Sequence, residues 1–410
     1  MEKGLEIIFT LLQVIVGGIG IYQVVLGFAG FVRRREARVF PAQKSFAILV
    51  AAHNEETVLG ALLENLQKLD YPKALFDVFV ICDNCTDRTA VIASSFPDVR
   101  PMKRFEPDKR GKGHAIEWML EQLWKQDRAY DAVVILDADN LLSPNFLMEM
   151  NEKLSHGHRV VQAYLETKNP YDSWVSLSYA LMYWNMNRVW QLARHNLGLP
   201  VVLGGTGICI EAGLLQEIGW GAKSLTEDVE FTARCVEREI YPTWAHEAIV
   251  YDEKPITLRS SMRQRLRWMQ GHFYCARHYC WRLLKQSLMN RNLAQLDAAL
   301  YLFQPFRFML YIVYMIMLYF QVATSAFAHW GLREILPDWF WVSVSLFLYL
   351  QTPLVLLLER KSWKAYLGYL PYTLFLLSWI PVTVWAAFTS NNQKWSHTQH
   401  TRAIKIEEMM

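Results

Sequence analysis

The longest apolar runs of the chain lie at its two ends. Residues 5–32, LEIIFTLLQVIVGGIGIYQVVLGFAGFV, carry one acid at the start and then more than 20 uncharged positions, enough for a helix to cross roughly 30 Å of hydrocarbon. Three further runs, 301–328, 338–358 and 365–389, fill the last quarter, separated by the polar segments AHWGLREILPD and ERKSWK. Between the ends, strand-like and helix-like patterns alternate. SFAILVAAHNEE reads as a buried strand ending in polar residues, and ETVLGALLENLQKL after it has apolar positions at helical spacing. The alternation recurs through FDVFVICDNCTDRT, TAVIASSF, VRPMKR, GHAIEWMLEQLW and AVVILDADN. It predicts an α/β domain on a mostly parallel sheet. In such sheets ligands collect beyond the carboxyl ends of the strands, where His53, Asn54, Glu55, Asp83, Asp137 and Asp139 fall.

Flanking charges orient the first run. RRREAR follows it where a cleaved signal peptide would show small residues, so it reads as a retained helix with Arg33, Arg34, Arg35 and Arg38 on the cytoplasmic side. The expected organisation is a transmembrane helix at 1–32, a cytoplasmic catalytic domain at 33–258, interface helices at 259–300, about three transmembrane segments at 301–389 and a cytoplasmic tail at 390–410. This is a multi-pass arrangement, expected in the plasma membrane. Pro371 and Pro381 interrupt the last run, which reads as a broken or re-entrant segment returning the Lys- and Arg-containing tail to the cytoplasm. Residues 174–197, WVSLSYALMYWNMNRVWQLARHNL, have the aromatic, amphipathic character of a helix docked on a bilayer surface.

Composition narrows the chemistry. Aromatic residues make up 14% of the chain, a content that suits bilayer interfaces and sugar rings, and the formal charge of +3 supplies no case for nucleic-acid binding. Cys82, Cys85, Cys209, Cys235, Cys275 and Cys280 lack the spacing of a zinc site or a disulfide scaffold and read as reduced thiols. Neither GxGxxG nor GxxxxGK[ST] follows the first strand, which argues against a dinucleotide enzyme or an NTPase. LDADN instead offers two carboxylates one residue apart at a strand end, able to face one hard divalent cation that also takes diphosphate oxygens.

Taken in order, AAHNEE, DNCTDRT, RGKGHA, DADN, GGTG, TEDVE and QRLRW, with the closing apolar runs, resemble the family 2 glycosyltransferases. Within them they resemble the processive membrane synthases related to cellulose, hyaluronan, chitin-oligosaccharide and poly-N-acetylglucosamine synthases. The resemblance implies a GT-A nucleotide-sugar domain, amphipathic interface helices and an α-helical transmembrane bundle. It implies a UDP-sugar donor, Mg²⁺ or Mn²⁺, a growing glycan as acceptor, and synthesis and export of a β-linked polysaccharide by inversion. Non-processive addition of a sugar to a lipid is the alternative. Residue by residue, Asp83 looks like the acid that contacts uridine, with His53, Asn54 and Glu55 around the base and ribose and Lys112 beside phosphate or uracil. Asp137 and Asp139 match the metal-binding pair, Asp139 as the more direct ligand, and Asp228, next to Glu227, matches the general base. Gln264, Arg267 and Trp268 match the QxxRW pattern, suited to the leaving diphosphate and to stacking on an acceptor sugar, while Arg263 and Arg265 are expected toward lipid. Gly205 and Thr206 belong to a tight turn beneath the acceptor; GGTG departs from the hyaluronan and cellulose enzymes, so their acceptors are not carried over. KWSHTQHTR resembles a carboxyl-terminal segment that gates the nucleotide site, with Trp395, Thr398 and Arg402 as its members.

Overall fold

The computed structural model describes residues 2–33, 37–221, 223–324, 338–391, 400 and 402–409. At its centre eight strands pair in the order β3-β2-β1-β4-β7-β6-β8-β5. They are β1 Phe46–Ala52, β2 Phe76–Asp83, β3 Val99–Arg104, β4 Ala132–Asp137, β5 Leu141–Leu142, β6 Val160–Thr167, β7 Ile208–Glu211 and β8 Thr243–Asp252. The sheet is mixed but mostly parallel, as expected, with β1, β2, β3, β4, β6 and β8 running the same way. β3, β2, β1 and β4 run parallel, but β7 lies antiparallel between β4 and β6, and β5 is antiparallel to β8. The cause is local. The GGTG turn, with Gly205 and Gly207 at φ 82° and 64°, delivers the chain to the carboxyl end of β4, so β7 starts opposite Ile135 and can only run back toward Ala132.

Both faces of the sheet are covered, which is why its strands read as continuous apolar runs. Phe46, Ile48 and Val50 pack with Leu59, Leu62 and Leu63 on one side, while Ala47 and Leu49 pack with Ile116, Met119 and Leu120 on the other. Register then fixes the rim. Ala51 pairs with Ile81 and Asp137, and Ala52 pairs with Cys82, so His53, Asp83 and Asp137 leave the sheet within two rungs of one another.

Residues 174–196 do not lie on a surface as expected. They form helix Trp174–Asn185, a π-helical stretch Met186–Leu192 and helix Ala193–Asn196. Val175, Tyr179, Trp184 and Leu192 are buried between the sheet and the apolar helices, although Trp174 and Leu197 remain exposed. Aromatic character here reflects an interior layer. Arg265, expected toward lipid, is likewise fully buried, whereas Arg263 is exposed. The Arg265 guanidinium lies over the rings of Phe375 (4.4 Å) and Trp379 (4.9 Å) and donates to Ser378 Oγ (2.8 Å), fastening helix Leu258–Cys275 to the apolar segment Tyr369–Thr389.

Among the described residues two helices, Glu6–Ala29 and Tyr369–Thr389, are long and apolar enough to cross a membrane. A third is reached if Leu293–Leu302 and Gln304–Met317, bent by 59°, count as one span. Tyr369–Thr389 comprises helices Tyr369–Leu377 and Trp379–Thr389 joined at Ser378, away from Pro371 and Pro381, and together they are long enough to cross as one span. Replacing Arg265 by Met should cost about 2–3 kcal/mol through the lost charged hydrogen bonds and ring contacts. Thermal unfolding in detergent measures it, and an unchanged Tm would mean that this contact does not hold the helices together.

Candidate active site

The carboxyl-end rim of β1, β2 and β4 opens into a chamber of about 740 Å³ that continues past helix Leu258–Cys275 to the apolar helices. His53, Glu55, Asp83, Lys112, Asp137, Asp139, Gly205, Thr206, Glu227, Asp228, Gln264, Arg267 and Trp268 all line it. Asn54 does not. At φ 56° it turns its amide onto the next loop, where Oδ1 accepts from the Thr86 N–H (2.7 Å).

At the outer end, the Asp83 carboxylate accepts from Arg104 (2.5 Å) and from Asn84 (2.8 Å), and its carbonyl accepts from His53 Nδ1 (2.7 Å). Arg104 was not legible as a site residue. Its signal lies in pairing, because Asp83 of β2 stands opposite Arg104 of β3 in register.

Lys112 begins helix Lys112–Leu123 after Gly111, whose φ of 120° only glycine adopts readily. Its Nζ donates to Asp137 Oδ1 (2.5 Å) and to the Gly205 carbonyl (2.7 Å). Burial alone would lower the Lys112 pKa, but Asp137 and then Glu227 outweigh it and hold the ammonium above its usual value. Asp139 is buried; Oδ2 accepts from the Glu253 N–H (3.0 Å) and its carbonyl accepts from Lys168 (2.9 Å). Burial, with Asp252 and Asp137 adding to it against His400, pushes the Asp139 carboxyl up to about 7. Among the described residues no three His, Cys, Asp or Glu side chains form a closed metal cage. The adjacent pair Asp137 and Asp139 fits a hard cation that completes its shell with phosphate and water. Thr206 steadies this loop, accepting from the Asp137 N–H (3.1 Å) and donating to Asn140.

Asp228 stands in the first turn of helix Glu227–Glu237, and Gly205 passes directly beneath it, so that a Cβ there would lie 3.5 Å from Asp228 Oδ2. Burial first, and Glu227 second, push Asp228 up to about 7; burial also raises Glu227 against the pull of Lys112 and Arg267. A Cβ on Gly271 would come within 2.5 Å of Thr226 Oγ1, so the QRLRW helix packs hard against the TEDVE loop. That contact sets Arg267 and Trp268 on the Asp228 side. Tyr179 orients both partners of the motif, donating to Gln264 Oε1 (3.1 Å) and meeting Trp268 edge to face (6.1 Å).

The tail returns to this rim. His400, not singled out from the sequence, lines the chamber with Nδ1 3.1 Å from both Glu55 oxygens. Burial would lower its pKa, but Asp139 and Glu55 raise it to about 10. Arg402 stays outside the chamber and grips Asp172 through two hydrogen bonds (2.8 and 2.6 Å). Trp395 and Thr398 lie outside the described residues.

The family model for "Glycosyltransferase like family 2" matches residues 41–271, more than half of the chain. The chain belongs to this family. The glycosyltransferase is 27% identical over 241 residues to the probable glycosyltransferase YdaM of Bacillus subtilis (56% of this chain, 55% of that one). It is 27% identical over 262 residues to a beta-monoglucosyldiacylglycerol synthase of Nostoc (60% and 53%). It is 24% identical over 237 residues to the poly-beta-1,6-N-acetyl-D-glucosamine synthase of Staphylococcus epidermidis (56% and 54%). The chain thus spans about half the length of the curated relatives it matches. Its fold is similar to that of the mannosyltransferase PcManGT of Pyrobaculum calidifontis, solved with GDP-Man and Mn²⁺, at a TM-score of 0.61 and 17% identity over 94% of this chain and 99% of that one.

Asp139 and Asp228 both lie near 7 in the folded glycosyltransferase, above the usual carboxylate value of about 4. The stabilisation from their protonated forms is complete below the unfolded value of about 4 and is lost as pH rises through about 7. Metal- and nucleotide-free protein should therefore melt at a lower temperature at pH 8 than at pH 6. A Tm that climbs with pH over this interval in detergent would show both carboxyls to be well solvated.

Proposed function

We propose that the protein is a metal-dependent, inverting transferase at the cytoplasmic face of a membrane, moving a sugar from a UDP-sugar to a hydroxyl acceptor. One juxtaposition carries this reading: the Asp137–Asp139 pair, suited to a diphosphate-bound cation, and a separate carboxyl, Asp228, held near neutrality, share one chamber and are bridged by Lys112 and Gly205. Asp83 and His53 receive the nucleoside, and Glu55 borders it. Mg²⁺ or Mn²⁺ on Asp137 and Asp139 supplies charge neutralisation for the diphosphate; the Mn²⁺ bound by PcManGT supports this.

Asp228 accepts the proton of the acceptor hydroxyl as that oxygen bonds to the anomeric carbon. The bond from that carbon to the diphosphate oxygen breaks, and its electron pair leaves with the nucleotide. A positioned base of this kind contributes about 10²–10⁴ in rate, most effectively when its pKa lies near the working pH. One displacement with one base turns an α donor into a β product. Arg267 and Gln264 face the departing diphosphate, and Trp268 with Gly205 and Thr206 borders the acceptor. The tail, through His400 on Glu55, covers the donor end and acts as its gate.

The acceptor reading follows the far wall of the chamber, where Phe308, Leu348, Leu376 and Trp379 suit hydrocarbon better than a row of sugars. Transfer to a lipid is thereby favoured, and the Nostoc relative is named as a glucosyldiacylglycerol synthase. Processive synthesis and export of a polysaccharide is the second reading, supported by the QRLRW pattern and by the Staphylococcus relative. Sizing the product made from UDP-sugars and membrane lipids separates them: one sugar on a lipid, or a polymer.

Asp228→Asn should lower kcat by at least about a hundredfold with nucleotide affinity nearly unchanged, since only the proton acceptor is removed. Turnover close to that of the unaltered enzyme would take the base role away from Asp228. Chelation should abolish transfer and added Mg²⁺ or Mn²⁺ restore it, whereas persistence in EDTA would remove the metal from the reading.

A further inference from the structure

Gln304 and Arg307 line the chamber from the apolar helices. Arg307 stands on the first turn of helix Gln304–Thr324, in the bent pair that is long and apolar enough to span a membrane. Arg307 is half-buried, and three fully buried arginines nearby have balancing groups. Arg194 donates to both oxygens of Asp297 (2.7 and 3.1 Å), Arg188 donates to Glu359 (2.9 Å), and Arg265 rests on aromatic faces. Arg307 differs: among the described residues its guanidinium makes no ion pair, side-chain hydrogen bond or ring contact. Asp297, on the adjoining helix Leu293–Leu302, is already engaged by Arg194 and Tyr22. His272 packs beside Arg307 but is held neutral by burial and by the Arg307 charge, and its Nε2 donates to the Tyr301 carbonyl (3.2 Å).

A guanidinium in apolar surroundings without an anion is costly, and such a residue inside a membrane-level helix marks a ligand path. The planar fork of arginine suits phosphate, and Gln304, three residues earlier on the same helix face, adds an amide donor. We infer that Arg307 binds a phosphate carried by the acceptor, which is a lipid with a phosphate-bearing headgroup and a free hydroxyl. Its hydrocarbon lies against Phe308, Leu348 and Leu376, and its hydroxyl points toward Asp228. This rests on the transferase reading above. In the transfer the phosphate is a spectator: the hydroxyl oxygen bonds to the anomeric carbon, its proton goes to Asp228, the nucleotide leaves with the electron pair, and the phosphate keeps its charge on Arg307.

The test uses the full chain in detergent with the UDP-sugar that gives turnover, and three acceptors: phosphatidylglycerol, diacylglycerol and water-soluble glycerol 3-phosphate. Phosphatidylglycerol should be preferred over both others. Arg307→Met should lower its kcat/KM by about ten- to a hundredfold, as expected for a lost charged hydrogen bond, while the preference over diacylglycerol collapses. Arg307→Lys, with the same Tm, should recover part of it. Glycerol 3-phosphate used as well as phosphatidylglycerol would discard the lipid part. Diacylglycerol used equally well, or full phosphatidylglycerol transfer by Arg307→Met, would overturn the phosphate site while leaving the transferase reading intact. UDP release with no lipid product would overturn it too, and absence of turnover with any nucleotide-sugar would instead remove the reading on which it stands.

Discussion

The rim of the sheet holds more negative charge than an enclosed space tolerates, and the Lys112 ammonium is what makes the arrangement possible. Asp137, Glu227 and Asp228 converge on it, and its bonds to Asp137 and to the Gly205 carbonyl tie the Asp137–Asp139 loop to the turn beneath Asp228. Burial first, and neighbouring carboxylates second, raise Asp139 and Asp228 to about 7. The His400 imidazole, raised to about 10 by Asp139 and Glu55 against its own burial, adds a second positive charge at this rim.

What was readable in the residues, and what was not, divides along contact distance. Acids at a strand end in LDADN and at a helix start in TEDVE are local patterns, and the chamber gathers them. The antiparallel β7 was hidden because four residues carry too little periodicity to reveal direction, which the φ values of Gly205 and Gly207 decide. Arg104 and His400 were missed for a different reason. Each acquires its meaning only from a distant partner, Asp83 across one sheet rung and Glu55 across 345 positions of chain. The helix at 174–196 misled because aromatic residues suit an interior layer and a membrane surface equally well, and only burial separates the two.

Charges also set how the apolar helices meet the sheet domain. Arg188 with Glu359, Arg194 with Asp297, and Arg265 with Ser378 each join a segment near the sheet to one of these helices. Hydrocarbon contacts alone let helices slide and rotate, whereas a directional bond inside a low-dielectric layer fixes register. The chamber crosses this seam, so its shape depends on those bonds as much as on the sheet.

The docking of residues 402–409 has a consequence for the rim. Arg402 on Asp172, Lys405 on Glu64 and Glu407 on Lys68 fasten the end of the chain to the same domain from which the apolar quarter departs. His400, two positions before Arg402, is thereby held at the Glu55 rim by surface ion pairs that added salt would weaken.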